Sequence, residues 1–135
     1  MKYVLDTNIV TRLLGGDERV LAHLVDVDPS DVGIPLLVLA ELLFGAEKSV
    51  RRDENRQRIQ WLTESLRMLP LGLAVVRRYA VVRADVERRG QRKSDFDLMI
   101  ACTALEHGAT LVTHDTALKD GAIDGLVVED WLSAP

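Results

Sequence analysis

Short apolar runs alternate with longer stretches of helical periodicity along the chain. The runs are bounded by turn residues and predict five strands, at Tyr3–Leu5, Val32–Ile34, Met68–Leu71, Ala109–Thr113 and Leu126–Val128. Between them, apolar residues recur at helical spacing, which predicts helices over residues 9–14, 18–25, 36–48, 53–67, 73–89 and 94–105. This alternation is typical of an α/β protein with a parallel five-stranded sheet surrounded by helices. Pro70 cannot donate a ladder hydrogen bond, so we expect the third strand at an edge of the sheet.

Two of the predicted helices carry expectations about their faces. In the helix over residues 36–48, residues 36–44 are apolar nearly all round, so we expect that helix to be buried. Glu41 interrupts the apolar sequence, and a buried carboxylate needs an ion pair, hydrogen bonds or a metal ion to stabilise its charge. A structural ion pair and a ligand role both account for this residue. In the helix over residues 73–89, one face carries Val76, Ala80, Val81 and Ala84.

The composition fits one domain over residues 1–135, long enough to bury a core. Aromatic residues make up only 4% of the chain, so the core must consist of Leu, Val, Ala and Ile. Cys102 is the only cysteine, which excludes an internal disulfide, and its apolar neighbours predict a core position. No secretory signal opens the chain and no apolar run has the length of a membrane span. We therefore expect a cytoplasmic protein.

The net charge of −4 conceals a strong segregation of charge along the chain. Residues 48–93 carry thirteen Lys or Arg and five Asp or Glu, whereas residues 1–47 and 94–135 are both acidic. A basic middle between acidic flanks favours a phosphate-bearing partner that is held beside carboxylates. The alternative is that long helices carry arginine on solvated outer faces.

Acidic residues follow two of the predicted strands. Asp6 comes directly after the first strand and Asp115 shortly after the fourth, while Asp97 begins the helix that leads to the fourth strand. Ligands of open α/β sheets bind beyond the carboxyl ends of the strands, where these side chains are expected to meet. Taken singly, each acid is equally well explained as a helix cap or a first-turn acid. Asp95 competes with Asp97 for the same role.

Taken together, these acids predict a metal site. The candidate ligands have hard oxygen donors and come from different elements: Asp6, Glu41, Asp97 and Asp115. The histidines and the cysteine lack zinc-site spacing, and we interpret His114 as a loop residue near the site. Such a donor set suits Mg²⁺ or Mn²⁺, which relieves the repulsion among carboxylates, lowers the pKa of bound water and stabilises charge on a phosphoryl group. The predicted chemistry is hydrolysis of a phosphodiester.

Four segments of the sequence resemble the acidic motifs of a known family. They are Leu5–Ile9, Leu39–Leu42, Asp97–Ala101 and Leu111–Asp115. In this order they resemble the motifs of PIN-domain ribonucleases, and most closely those of VapC-type toxins of bacterial toxin–antitoxin pairs. The likeness extends over essentially the whole chain, including residues 125–131. One departure is visible at residues 116–119, where the family often has an aromatic residue.

The resemblance implies a role for each acid. Asp6, Glu41 and Asp97 would be the catalytic metal ligands, and Asp115 would be a fourth, variable acid that acts directly or through water. Polar neighbours that hold ligands or waters would be Thr7, Asn8 and Thr113. The implied fold is a parallel sheet with helices around it.

The resemblance also implies partners. The family's toxins cleave RNA, are usually homodimers, and are blocked by a cognate antitoxin whose tail enters the acidic site. Under this hypothesis the basic middle would contact RNA phosphates through Arg51, Arg52, Arg56, Arg88, Arg89, Arg92 and Lys93.

Three other functions remain as alternatives. A phospho-acceptor receiver domain has a similar layout but needs an acid pair after the first strand and a lysine after the last. Here one acid follows the first strand, and Lys119 precedes the last. A phosphatase with an Asp-x-Asp nucleophile is disfavoured because position 8 is asparagine. An inactive PIN fold that only binds a partner is disfavoured because all four acids are present.

Overall fold

The computed structural model describes residues 1–133, and its elements alternate as the sequence predicts. The strands are β1 (Tyr3–Leu5), β2 (Val32–Pro35), β3 (Arg67–Leu69), β4 (Thr110–Val112) and β5 (Val128–Glu129). The helices are α1 (Thr7–Leu14), α2 (Glu18–Leu24), α3 (Leu36–Lys48), α4 (Arg52–Ser65), α5 (Leu73–Arg88), α6 (Asp95–Glu106) and α7 (Thr116–Lys119). The predicted α/β fold is confirmed.

The five strands form one parallel sheet in the order β3-β2-β1-β4-β5. The predicted edge position of β3 is therefore confirmed. Strand β1 lies in the centre, and Leu5 is in register with Val112 of β4. A receiver domain places its first strand between the second and the third, whereas here β1 lies between β2 and β4. The strand order thus gives the receiver alternative no support.

The core lies on both faces of the central strands. Val4 and Leu5 of β1 are fully buried, as are Leu111 and Val112 of β4, because helices cover both sides of a parallel sheet. Gly33 in β2 packs so closely against this core that a side chain would not fit. A Cβ atom there would lie 2.7 Å from Cδ1 of Leu69 and 2.9 Å from Cε of Met1. Only glycine fits at this position without displacing its neighbours.

Helix α3 is less buried than expected. Val38, Leu42 and Ala46 face the core, whereas Leu43 and Phe44 are 42% and 62% exposed. The helix packs against α1, α4 and α6, and these neighbours cover only one stripe of its surface. The prediction of a helix buried all round was therefore wrong, because an apolar sequence does not reveal how many sides have a packing partner.

Helix α5 and the boundaries of β3 also differ from expectation. The fully buried residues of α5 are Val75 and Val86, while Val76 and Val81 from the predicted apolar face are exposed. The buried face of α5 is therefore not the face of Val76 and Val81 that the sequence predicted. Helix α4 ends at Ser65, and the chain is already extended at Leu66, so β3 begins earlier than predicted and ends before Pro70.

The end of the described chain and Cys102 agree with the sequence. Trp131 and Leu132 are buried after β5. Cys102 is buried in α6, and burial raises the pKa of its thiol to about 11, which makes it an unreactive core residue. Within residues 1–133, no helix combines the length and apolar character needed to cross a membrane.

Candidate active site

Asp6 lies at the centre of the candidate site, at the carboxyl end of β1. Its backbone N–H donates to the carbonyl of Val112 at 2.9 Å, which fixes it between β1 and β4. Its buried carboxylate accepts hydrogen bonds from the Thr7 N–H at 2.8 Å and the Thr113 hydroxyl at 2.7 Å. Asn8 Nδ2 lies 3.4 Å from the same oxygen that Thr113 contacts. Asp6 therefore caps α1 and also belongs to a polar network, so the cap and the site are not exclusive alternatives.

The three predicted polar neighbours connect the acids to one another. The Thr7 hydroxyl donates to Oε1 of Glu41 at 3.1 Å. Asn8 accepts a hydrogen bond from the His114 N–H at 3.0 Å. The Thr113 hydroxyl oxygen, besides donating to Asp6, accepts from the Asp115 N–H at 3.0 Å. Each of these side chains thus joins two segments at the carboxyl edge of the sheet.

The second predicted acid, Glu41, occupies a more open position than expected. It is exposed on α3 rather than buried, and it lines a cleft of about 300 Å³ between α1, α3 and α4. The expectation of a buried carboxylate was wrong because this side of α3 faces the cleft instead of a packed helix. Its hydrogen-bond partner is Thr7, so within residues 1–133 no basic side chain neutralises it at ion-pair distance.

Asp97 and Asp95, the two candidates for the third acid, have different surroundings in the structure. Asp95 accepts a hydrogen bond from the Tyr79 hydroxyl at 2.7 Å and forms an ion pair with Arg83 at 3.1 Å. Asp97 is half-buried, and its backbone N–H donates to the hydroxyl oxygen of Ser94, the N-cap of α6, at 3.1 Å. Asp95 thus contacts α5, whereas the carboxylate of Asp97 lies near the other acids.

Asp115 occupies the N-cap position of α7. One of its oxygens accepts from the Ala117 N–H at 2.9 Å. The neighbouring His114 is exposed, and its ring contacts Asp130 rather than any of the four acids. His114 is therefore a loop residue beside the site, as the sequence indicated.

The pKa values of Asp6, Glu41 and Asp97 are raised above their ordinary values. Burial raises the pKa of Asp6 and the charge of Asp115 raises it further, although hydrogen bonds from Thr113 and Thr7 oppose the shift. Burial also raises the pKa of Asp97, with smaller contributions from Asp115, Asp6 and Glu41. The pKa of Glu41 is raised by the partial loss of solvent in the cleft and by the charge of Asp6, while the hydrogen bond from Thr7 opposes the shift. The four carboxylates therefore lie near enough to one another for their charges to interact.

The chemistry of this donor set fits a divalent cation, but the side chains do not surround a common point. All the donors are carboxylate oxygens, and no Lys or Arg within the described residues forms an ion pair with them. Uncompensated carboxylates with raised pKa values are typical of a cation site. In the part of the chain from 1 to 133, however, no three acidic, histidine or cysteine side chains converge on a common point.

The predicted RNA-contacting residues divide into two groups. Arg52 and Arg56 pair with Glu47, Arg89 pairs with Asp85, and Lys93 pairs with Asp120. The Lys93 side chain is only 3% exposed, which argues against an RNA contact at that position. The other candidates are exposed and form no ion pair inside the described region: Arg51, Arg88 and Arg92.

Sequence reasoning missed two kinds of residue around the site. Ser94 caps α6, and its spacing of three residues before Asp97 was a local signal for that role. Asp130 and Lys93 contact the segment that carries Asp115, but their partners are distant along the chain. No local pattern indicated those two roles.

The fold and the acid cluster together define a class of protein. Residues 3–123 match the family described as PIN domain, and the chain belongs to that family. The chain is similar to the tRNA(fMet)-specific endonuclease VapC of Shigella flexneri, with 29% identity over 97% of this chain and 98% of that protein. It is 30% identical to Ribonuclease VapC1 of Haemophilus influenzae, over 97% and 98% of the two chains.

A solved structure agrees with these relatives. The structure of DNA-bound VapBC from Salmonella typhimurium matches with a TM-score of 0.88 and 27% identity, over 97% of this chain and 98% of that one. The resemblance inferred from the four acidic motifs is thereby confirmed at the level of the family and the fold.

Proposed function

We propose that this protein is an endoribonuclease that depends on Mg²⁺ or Mn²⁺ and acts as the toxin of a toxin–antitoxin pair. The observation that carries the proposal is the cluster of four carboxylates from separate elements, gathered without basic partners at the carboxyl edge of the sheet. The relatives support it because they are named as VapC ribonucleases and endonucleases.

In this proposal each acid has a distinct task. Asp6, Glu41 and Asp97 would hold the cation, and Asp115 would contact it directly or through water. When bound, a divalent ion lowers the pKa of a water molecule and stabilises negative charge on the phosphoryl group. The Thr7 N–H and the Thr113 hydroxyl fix the Asp6 carboxylate, so this ligand needs the least rearrangement. The basic surface around Arg51, Arg88 and Arg92 would contact the RNA backbone.

The antitoxin would cover the cleft beside Glu41. Leu43 and Phe44 are exposed on α3 and provide apolar contact area for a partner helix. Ile9 and Leu13 of α1 are buried, so they belong to the core and offer no surface to a partner. An arginine on the partner would compensate the uncancelled charge of the acids. The likeness to the VapBC complex supports such a partner.

Two further properties belong to the proposal. Homodimerisation is expected from the family resemblance, and the cytoplasm is where an RNA-cleaving toxin would meet its substrate.

The test is RNA cleavage by the purified protein, freed of any partner, with Mn²⁺ and with EDTA. Cleavage is expected with Mn²⁺ and not with EDTA. Glu41→Gln is expected to abolish cleavage because a ligand charge is removed. Glu47→Gln is the matched control, since Glu47 lies on the same helix but pairs with Arg52 and Arg56. Equal activity of the Glu41→Gln variant and the wild type would contradict the proposed site.

A further inference from the structure

One buried carboxylate, that of Asp130, contacts a residue just before the short helix α7 and the last residue of that helix. The ring Nδ1 of His114 lies 2.8 Å from Oδ2 of Asp130, and the ammonium of Lys119 lies 2.6 Å from the same oxygen. The side chain of Asp130 is only 7% exposed. Asp115 lies between the two fastened positions, so the loop that carries the fourth acid is closed by one residue from beyond β5.

Asp130 is itself held rigidly. Its Oδ1 accepts a hydrogen bond from the Leu132 N–H at 2.9 Å. The Ser133 hydroxyl donates to Oδ2, the oxygen that also contacts His114 and Lys119, at 2.7 Å. Burial raises the pKa of Asp130, but hydrogen bonds from Lys119, Ser133 and His114 outweigh this effect and hold it well below its ordinary value. The carboxylate is therefore ionised and fully engaged at neutral pH, as suits a fixed anchor.

A continuous path of contacts leads from this anchor to the centre of the site. The His114 ring is bound to Asp130, while the His114 N–H donates to Asn8, whose amide nitrogen lies near Asp6. On the other side of α7, Lys93 donates to the Ala117 carbonyl and pairs with Asp120 at 2.7 Å. Lys93 thus retains the helix itself, whereas Asp130 controls the stretch that contains Asp115.

We propose that Asp130 is a positioning residue that holds residues 114–119 so that the Asp115 carboxylate faces Asp6 and Asp97. This inference rests on the proposed function for its effect on catalysis, but not for its effect on the loop. Asp130 touches none of the four acids, so it acts through His114 and Lys119. If Asp130 stabilised only the segment around Leu132 and Ser133, its replacement would change the dynamics of that segment and not those of residues 114–119.

Three variants separate these possibilities. Asp130→Asn keeps the shape but removes the charge that binds His114 and Lys119. Lys119→Met releases one flank of α7 and leaves the contacts of Asp130 with Leu132 and Ser133. Arg19→Met is the matched control. The Arg19 guanidinium donates to the Leu132 carbonyl at 3.0 Å and pairs with Asp17, so its removal takes one contact from the same terminal segment and none from residues 114–119.

The primary readout is amide hydrogen exchange, which needs neither metal nor RNA. The N–H groups of His114, Asp115 and Ala117 are bonded to Asn8, Thr113 and Asp115. Their exchange is expected to accelerate about tenfold or more in Asp130→Asn and Lys119→Met, as for removal of a hydrogen bond to a charged group. The Leu111 N–H in β4 should be unaffected, and Arg19→Met should leave all three loop amides protected.

Kinetics supply the second readout. If the nuclease proposal holds, Asp130→Asn should lower kcat about tenfold or more with little change in KM, since orienting partners of ligands have effects of that size. Unchanged loop exchange in both Asp130→Asn and Lys119→Met, or equal acceleration in Arg19→Met, would overturn the positioning role. If the wild type itself cleaves no RNA, the proposed function fails while the exchange comparison still decides the role of Asp130.

Discussion

The Thr113 hydroxyl donates to Oδ2 of Asp6 at 2.7 Å, although the two residues are 107 positions apart in the chain. The bond follows from the sheet, because β1 and β4 are neighbours and Leu5 is aligned with Val112. The residues that follow each strand therefore meet at the carboxyl edge. This buried bond opposes the effect of burial on the pKa of Asp6 and keeps that carboxylate charged more readily.

Replacing Thr113 with Val tests the importance of that bond. The variant keeps the side-chain shape but leaves a buried carboxylate oxygen without its best donor. We expect the free energy of unfolding to fall by about 1–3 kcal/mol, as for a buried polar group that loses its partner. Urea unfolding measures this change. Thr113→Ser retains the hydroxyl and should be closer to the wild type; equal destabilisation in both variants would mean that the methyl group matters instead.

Removal of one charge from the cluster should stabilise the metal-free protein or leave its stability unchanged. Asp97→Asn is the cleanest case, because Ser94 caps α6 and the Asp97 side chain experiences three like charges. In EDTA this variant is expected to melt at or above the wild-type temperature. Mn²⁺ should raise the melting temperature of the wild type more than that of the variant. A clearly lower melting temperature of the variant in EDTA would contradict the proposed charge repulsion between Asp97 and the other acids.

The raised pKa values also predict how this stabilisation depends on pH. A carboxyl group whose pKa is higher in the folded than in the unfolded state binds more protons when folded, so its contribution becomes unfavourable as pH rises through that interval. The advantage of Asp97→Asn over the wild type in EDTA should thus be absent below the ordinary carboxyl pKa of about 4 and grow towards neutral pH. Thermal unfolding of both proteins from acid to neutral pH measures it, and a constant difference would contradict the raised pKa of Asp97.

The exposed arginines near the end of α5 should contribute to RNA affinity. Replacing Arg88 and Arg92 with Gln is expected to reduce the slope of log affinity against log salt by about 0.7 for each phosphate that is no longer neutralised. Arg67→Gln is the control, since Arg67 is exposed at the amino end of β3, on the opposite edge of the sheet from the acids. Equal slopes in the wild type and the double variant would favour a solvated helix face without an RNA role.

Local patterns were sufficient to predict most of the fold. The run Tyr3–Leu5 predicts a buried strand because it is short, apolar and ends at a polar turn. The edge position of β3 was also predicted correctly, although Pro70, on which that prediction rested, lies just beyond the end of the strand at Leu69. The patterns did not reveal which faces find partners. Phe44 and Val81 are as apolar as their buried neighbours, yet they are exposed, because helix packing rather than hydropathy decides which stripe is covered.

The same distinction applies to the site. The positions of Asp6 and Asp115 at the ends of adjacent strands follow from the rule for parallel sheets, and the motif match selects Asp97 over Asp95. The openness of Glu41 depends on the gap between α3 and α4, which the sequence does not encode locally. The contacts of Asp130 with His114 and Lys119 join residues 16 and 11 positions apart, so no local pattern indicates them.

The proposed site requires acids from separate elements to share one divalent cation. Calorimetric titration of the purified protein with Mn²⁺ tests it most directly, in the wild type, in Asp97→Asn and in Asp95→Asn. Asp95 is the matched control because it lies two residues away and contacts Tyr79 and Arg83 instead of the cluster. We expect a saturable site of similar affinity in the wild type and in Asp95→Asn, and an affinity at least about tenfold lower in Asp97→Asn. Equal Mn²⁺ affinity in all three proteins, or no binding by the wild type, would contradict the shared cation site.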